Sequence, residues 1–352
     1  MLAQQRMHSS ESRSAPRDLR VVAIGGGTGL STLLKGLKRY VLTPALAASG
    51  QTAIRELCGV VTVTDDGGSS GRLRKEFNML PPGDVRNCIV ALSEDEALLS
   101  RLFQHRFQKG SGLEGHSFGN LFLAALTSIT GDFAEAVRLS SEILLTRGRI
   151  YPATSSNVEL EAEMEDGTRV QGETRITASK GKIRELFLIP PDVEPLRQTL
   201  DAIAAADLIT IGPGSLFTSL LSNLLVRGIA QAILDSSAVK VFVCNLMTQA
   251  NESLGLTAAD HIRAFTTHVG GRLFDYALIN QTPASAEMKA KYALEGASQI
   301  VVDLEAIEAM GVCPVLGDYL GEGMVARHAT DRVAHDLMAL MTQAPDRKAA
   351  SR

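Results

Sequence analysis

Five short stretches of this chain gather residue types that handle phosphate, metal ions or protons. The first is Ile24-Gly25-Gly26-Gly27-Thr28-Gly29-Leu30-Ser31. Glycines let backbone amides close on an oxyanion with no Cβ in the way, and a helix starting there adds a favourable dipole. A strand stands before it and an amphipathic helix after it, so Gly25 to Gly29 with Ser31 read as a phosphate cradle. The bland alternative is a tight strand-to-helix turn. Leu30 or Thr32 occupies the place of the last glycine in a dinucleotide fingerprint, and Lys35 comes too late for a P-loop. A generic NAD dehydrogenase is disfavoured on that ground; a nucleotide ligand is not.

The second stretch runs Thr64-Asp65-Asp66-Gly67-Gly68-Ser69-Ser70-Gly71, followed by Arg72 and Arg74. An acid at the end of a second strand can bind ribose hydroxyls. The pair Asp65 and Asp66 can instead hold Mg²⁺ beside a diphosphate, with Ser69, Ser70, Arg72 and Arg74 supplying donors to its oxygens and Gly67 in the same loop; the bland alternative is a surface turn, for which Asp-Gly is common. The third is Pro81-Pro82-Gly83-Asp84-Val85-Arg86-Asn87, where Asp84, Arg86 and Asn87 either orient a polar ligand or simply begin a helix. The fourth, Gly115-His116-Ser117-Phe118-Gly119-Asn120, matches the spacing of a nucleophile elbow, but the polar residues before it cannot be the buried strand that an elbow requires. A serine hydrolase is therefore a minor alternative. His116, Ser117 and Asn120 fit better as a ligand loop opening a helix, with His116 as a donor or an acid. The fifth, Ile211-Gly212-Pro213-Gly214-Ser215, is another strand–loop–helix junction, where Gly212, Gly214 and Ser215 form a second anion nest or a packing turn.

The elements that must position these segments alternate. Strands are predicted at Arg20–Ile24, Cys58–Thr64, Leu208–Ile211, Val239–Cys244, Tyr276–Ile279 and Ile300–Asp303, with helical periodicity between them and in a terminal helix from Ala326 to Met341. A capping-box spacing at Ser93 to Glu96 and an N-cap at Asp132 mark two helix starts. From Ser156 to Pro190 apolar residues alternate with glutamates, which predicts a small antiparallel insert with one wet face. Alternating strands and helices predict a mostly parallel sheet with helices on both faces, and ligands bind such sheets at the carboxyl ends of the strands. Residues 1–18 and 342–352 read as flexible tails around one α/β domain, 19–341.

Composition bounds the partners. Of 352 residues, 35 are Lys or Arg and 39 Asp or Glu, so no positive field exists to hold nucleic acid non-specifically. The absence of Trp also argues against base-stacking platforms. With 45% hydrophobic and 21% charged residues the chain is not a disordered one. Cys58, Cys88, Cys244 and Cys313 form no C-x-x-C pair, which suits reduced thiols in the cytoplasm. The polar N-terminus is not expected to be a secretory signal. Leu208–Val226 carries no charge over 19 residues, but its Gly-Pro-Gly-Ser core predicts a strand, a turn and a buried helix, with no membrane insertion. The pairs His261/His268 and His328/His335 lack the carboxylates of a zinc site and read as surface or capping residues.

Taken in order, GGGTGLS, TDDGGSSGRLR, PPGDVRNC, GHSFGNL and IGPGSLFTSLL resemble the bacterial gluconeogenesis factors, relatives of 2-phospho-L-lactate transferase, from about Val21 to about Leu340. The resemblance implies a Rossmann-like domain that binds a nucleotide or nucleotide sugar. In the gluconeogenesis-factor branch it implies a UDP-sugar ligand, a regulatory role in cell shape and wall synthesis during gluconeogenic growth, and a homodimer. In the transferase branch it implies Mg²⁺-dependent transfer of a phospholactyl group from a guanosine diphosphate adduct to a deazaflavin alcohol. For a phosphotransferase of that class, the residues themselves offer Asp65 and His116 as candidate catalytic residues. The first loop departs from the GGTGGAK pattern of that branch, continuing after Gly29 as Leu30-Ser31-Thr32.

Overall fold

The computed structural model describes residues 18–94, 97–179, 181–250 and 252–343. Ten strands follow one another: β1 (Asp18–Gly25), β2 (Ala53–Val61), β3 (Arg149–Pro152), β4 (Glu159–Met164), β5 (Arg169–Gln171), β6 (Ile183–Ile189), β7 (Leu208–Ile211), β8 (Val239–Val243), β9 (Tyr276–Asn280) and β10 (Cys313–Gly317). Seven of them form one sheet in the order β10-β9-β8-β7-β1-β2-β3, and every pairing in it is parallel. All four residues of β7 are buried, which places helical layers over both faces of the central strands. The chain winds outward from β1 to β3, returns to the centre at β7 and winds outward the other way. The order of winding therefore reverses between β1 and β7.

The return passes through the insert, a three-stranded antiparallel sheet β5-β4-β6. On β4, Leu160, Ala162 and Met164 are buried while Glu159, Glu161 and Glu163 are half-exposed, as the alternation predicts. The wet face carries a cross-strand ion network in which Arg169 meets Glu161 and Glu163, and Arg184 meets Glu163. A short helix, Glu173–Ala178, lies inside the insert where strand was expected.

Three boundaries differ for physical reasons. Ile300–Asp303 is no strand; Gln299 makes a single bridge to Met247, and the last strand is β10. Pro314 and a half-exposed pattern concealed β10, and both features belong to an edge strand. The other edge, β3, has only four residues and ends on a proline, too short to show a period. Asp18 already belongs to β1, and the last helix, Thr330–Gln343, starts four residues after its expected start and takes in Thr342. The tails 1–17 and 344–352, and the Asp95–Glu96 half of the capping box, lie outside the described residues. Asp132 does cap its helix, accepting the Glu135 amide at 2.7 Å.

Candidate functional site

The loops leaving β1 and β7 face each other across the point where the winding reverses. Gly29 backs onto the second loop so closely that a Cβ there would stand 2.1 Å from the Pro213 carbonyl oxygen. Between and above the loops opens a cleft of about 350 Å³. Gly26 to Gly29 form one wall and Pro213 to Ser215 another, while Asn245 to Gln249, which follow β8, form a third. Tyr292, Arg327 and His328 complete the rim. The opening lies at the carboxyl ends of the strands, where α/β sheets take ligands.

The two loops are not equivalent. The first-turn amides of a helix have no partner within it. In the helix Gly27–Leu37 the Gly27 amide donates to the Asp84 carboxylate and Leu30 donates to the Gly26 carbonyl. This leaves, among the described residues, the amides of Thr28 and Gly29 for a ligand. At the second loop four amides are engaged within the protein. Gly212 donates to the Ile24 carbonyl and Gly214 to Asn245 Oδ1, while Phe217 and Thr218 both donate to Glu252 Oε1. Pro213 has none. The second loop presents the side chains of Ser215, Asn245 and Gln249, with Gln249 Nε2 donating to Ser215 Oγ at 3.0 Å, while its Gly212 and Gly214 amides are already taken up within the protein.

Behind the first loop lies a group of carboxylates. Asp84, at the start of the helix Gly83–Leu92, is pushed up to about 6 by burial and by Asp65. Asp65 Oδ1 accepts the Gly67 amide, and Oδ2 lies 3.2 Å from where a Cβ on Gly83 would stand. Glu173, from the insert, is pushed up to about 8 by burial and then by Asp65, Asp66 and Asp84. Asp66 is turned away to the insert, its Oδ1 accepting the Thr174 amide at 2.8 Å and the Thr174 hydroxyl. Among the described residues no three His, Cys, Asp or Glu are placed to hold a metal ion by themselves. Two carboxylates suffice for Mg²⁺ that keeps waters and binds substrate phosphates; Asp65 and Asp84 are close enough for the charge of one to raise the other, which makes them a second pair beside Asp65 and Asp66.

A polar network extends from there. Ser69 Oγ meets His116 Nδ1 at 2.9 Å and accepts Asn120 Nδ2 at 3.0 Å. Arg86, only 8% exposed, donates to Ser117 Oγ and to Asn87 Oδ1. Burial, then the charge of Arg72, lowers His116 below its usual range, so it is neutral at pH 7. Ser117 caps the helix Phe118–Thr130, accepting the Asn120 amide at 3.3 Å, and no strand precedes it. An elbow nucleophile has a different setting.

A family model described as 2-phospho-L-lactate transferase CofD matches residues 21–320. This chain belongs to the CofD family. It is 50% identical over 320 residues to a gluconeogenesis factor of Halalkalibacterium halodurans, covering 90% of this chain and 95% of that one. It is 46% identical over 326 residues to the gluconeogenesis factor of Bacillus subtilis, covering 92% and 98%. A crystal structure of a UPF0052-family protein from Bacillus halodurans superposes with a TM-score of 0.86 at 48% identity, covering 92% of this chain and 99% of the other.

Within this CofD-family fold the expected residues fall into three groups. Gly26, Gly27, Thr28, Gly29, Gly214 and Ser215 share the cleft. Asp65, Asp84, Ser69, Ser70, Arg86, His116, Ser117 and Asn120 lie in the adjoining polar layer, reached through Gly26 and Gly83. Others support rather than face it. Gly25 gives its carbonyl to Thr62 and Asn223, Ser31 donates to Thr28 O, and Gly212 is held in the sheet. Gly67 caps the helix Gly68–Phe77, and Arg72 is exposed and holds the Glu114 carbonyl at 2.6 Å. Sequence reasoning missed Asn245 and Gln249, although their place just after a predicted strand was a usable signal. It also missed Glu173, Glu252, Tyr292 and Arg327, for which long-range packing alone is responsible. Of the histidines expected as surface or capping residues, His261 is fully buried with Nδ1 on the Thr257 carbonyl, and His328 donates to the Cys244 carbonyl at the cleft rim.

Proposed function

We propose that the cleft binds a nucleoside diphosphate sugar, a UDP-sugar, and that the chain is a cytoplasmic regulatory protein acting in gluconeogenic growth and cell-shape control. The observation that carries this reading is the asymmetric crevice at the winding reversal. The free amides of Thr28 and Gly29 at a helix start suit a diphosphate, and Ser215, Asn245 and Gln249 opposite suit the hydroxyl and amide groups of a base or sugar. The names of the relatives at 46–50% identity support the regulatory part. Calorimetry against UDP-N-acetylglucosamine tests it: saturable heat is expected, and silence with this and every other nucleotide removes the proposal.

A second reading, Mg²⁺-dependent phosphotransfer, is favoured by the neighbouring Asp65 and Asp84 and by the description of the family model. In it these two carboxylates would hold the ion, which would supply charge neutralisation at the phosphates. Asp84 also fixes the Gly27 amide, and neutral His116, hydrogen-bonded to Ser69, would serve as a proton acceptor. Turnover decides. Metal-dependent release of nucleoside monophosphate that Asp65→Asn abolishes establishes the enzyme; unchanged nucleotide with altered affinity establishes the binding protein.

A further inference from the structure

Directly after the second loop, Leu216–Leu221 forms a turn of π-helix, the wide helix in which an amide bonds five residues back. Its signature is the Ser215 carbonyl, which takes both the Ser219 amide and the Leu220 amide, each at 3.0 Å. Single turns of this kind are rare and gather at functional sites. Five of the six residues, Leu216, Phe217, Thr218, Leu220 and Leu221, are buried. Ser219 is the exception: it is partly exposed and lines the cleft.

Ser219 stands at the seam between the two loops. Its Cβ lies 3.4 Å from where a Cβ on Gly26 would stand and 3.4 Å from one on Gly214, and its Oγ lies 4.0 Å from one on Gly27. The backbone around it is fastened from two sides. Buried Asn223 donates through Nδ2 to the Gly25 carbonyl at 3.1 Å and to the Ser219 carbonyl at 2.8 Å, which ties the turn to the end of β1. Glu252 holds the amides of Phe217 and Thr218 just before it. Buried hydroxyls nearby are all spoken for: Thr62 meets Thr64 at 3.0 Å and accepts from Ser222 at 3.0 Å. The Ser219 hydroxyl has no hydrogen-bond partner among the described residues. A donor fixed in place and left unpaired inside a cleft is preorganised for a ligand.

We propose that Ser219 donates to the second phosphoryl group of the ligand and so selects a diphosphate over a monophosphate. This rests on the nucleotide reading above and deepens it. The amides of Thr28 and Gly29 are adjacent in the chain and serve one phosphoryl group at the helix start. Ser219 approaches the same cradle from the opposite loop, on the side of Gly26 and Gly27, where the group bonded to the first one lies. A hydroxyl suits that place: it is small enough for the close approaches to both loops, and it can turn its single proton to either neighbouring oxygen.

Calorimetry of the full chain with UDP and with UMP tests the proposal, on the wild type and on Ser219→Ala and Ser219→Cys. The wild type is expected to prefer UDP. Both variants are expected to lose roughly tenfold in UDP affinity, the worth of a hydrogen bond to a charged oxygen, with UMP affinity and melting temperature unchanged. Ser219→Cys keeps the volume but donates weakly, so its loss separates the hydrogen bond from packing. Equal losses for UDP and UMP, or a lowered melting temperature, would assign Ser219 to structure and overturn the proposal. Unchanged UDP affinity in both variants would overturn it too, while leaving the nucleotide reading intact. If the wild type binds neither nucleotide, that reading fails and inorganic pyrophosphate becomes the probe. Binding of pyrophosphate over phosphate that Ser219→Ala abolishes would sustain the diphosphate assignment by itself, and silence there would end it.

Discussion

Asp84 reaches across from the Gly83–Leu92 helix to take the Gly27 amide, and its Oδ2 lies 2.9 Å from the point a Cβ on Gly26 would occupy. The same Cβ would stand 2.6 Å from Thr62 Cγ2. Gly26→Ala therefore has to displace the carboxylate that holds the loop, and we expect nucleotide affinity to fall by more than tenfold. Gly29→Ala meets backbone, the Pro213 carbonyl, which cannot swing aside; a loss of about 3 kcal/mol in denaturant unfolding is expected from such overpacking. Wild-type affinity in the first variant or wild-type stability in the second would contradict the packing described.

Glu252 is 7% exposed and binds the amides of Phe217 and Thr218 with one oxygen. Removing it strands two buried donors, so Glu252→Ala should lose about 2–4 kcal/mol of stability. Glu252→Gln keeps an acceptor oxygen and should lose less than half as much. Equal losses in urea melts would show that the caps carry little.

Glu173 holds its proton up to about 8 in the fold, against 4.5 for an ordinary glutamate. Between those values the unfolded chain binds fewer protons than the folded one, so this residue makes stability fall as pH rises from 4.5 towards 8. With solvent screening at a half-buried position, the effect should be roughly 2 kcal/mol over that window. Glu173→Gln should flatten that component of the pH profile of unfolding, and an unchanged slope would count against the carboxylate group described behind the loop.

His328 shifts the other way. Burial lowers it to about 4 from 6.5 while Nε2 donates to the Cys244 carbonyl. The unfolded chain then takes up a proton first as pH falls, and stability is lost from 6.5 down to about 4, by roughly 2–3 kcal/mol. His328→Gln should reduce that acid sensitivity; melting temperatures at pH 7 and pH 4.5 would read it.

How legible this was in the sequence depended on distance along the chain. Gly25–Gly29 and Gly212–Ser215 each announce a turn between a strand and a helix within a few residues, and the alternation of Glu159 to Met164 announces its own wet face. Local chemistry sufficed there. That both turns meet at one cleft follows from strand order, which no local period encodes. Asp66 looked like a metal partner for Asp65 because they are adjacent, yet it is recruited by Thr174, 108 residues later. The amides of Phe217 and Thr218, just after the second loop, are capped by Glu252, 34 residues beyond Thr218. Where a distant segment supplies the partner, as Thr174 does for Asp66, the local sequence carries no sign of it.

The central pairing of β1 with β7 joins Arg20 to Asp207 across 187 positions. During synthesis the first strand therefore leaves the ribosome with one side matched by β2 and the other bare until more than half of the polypeptide has been made. Any truncated product ending before Leu208 keeps that bare side and lacks the Pro213–Ser215 and Asn245–Gln249 walls of the cleft. Such fragments should aggregate or be degraded rather than persist as partly active species, and chaperone demand should concentrate on this interval of translation.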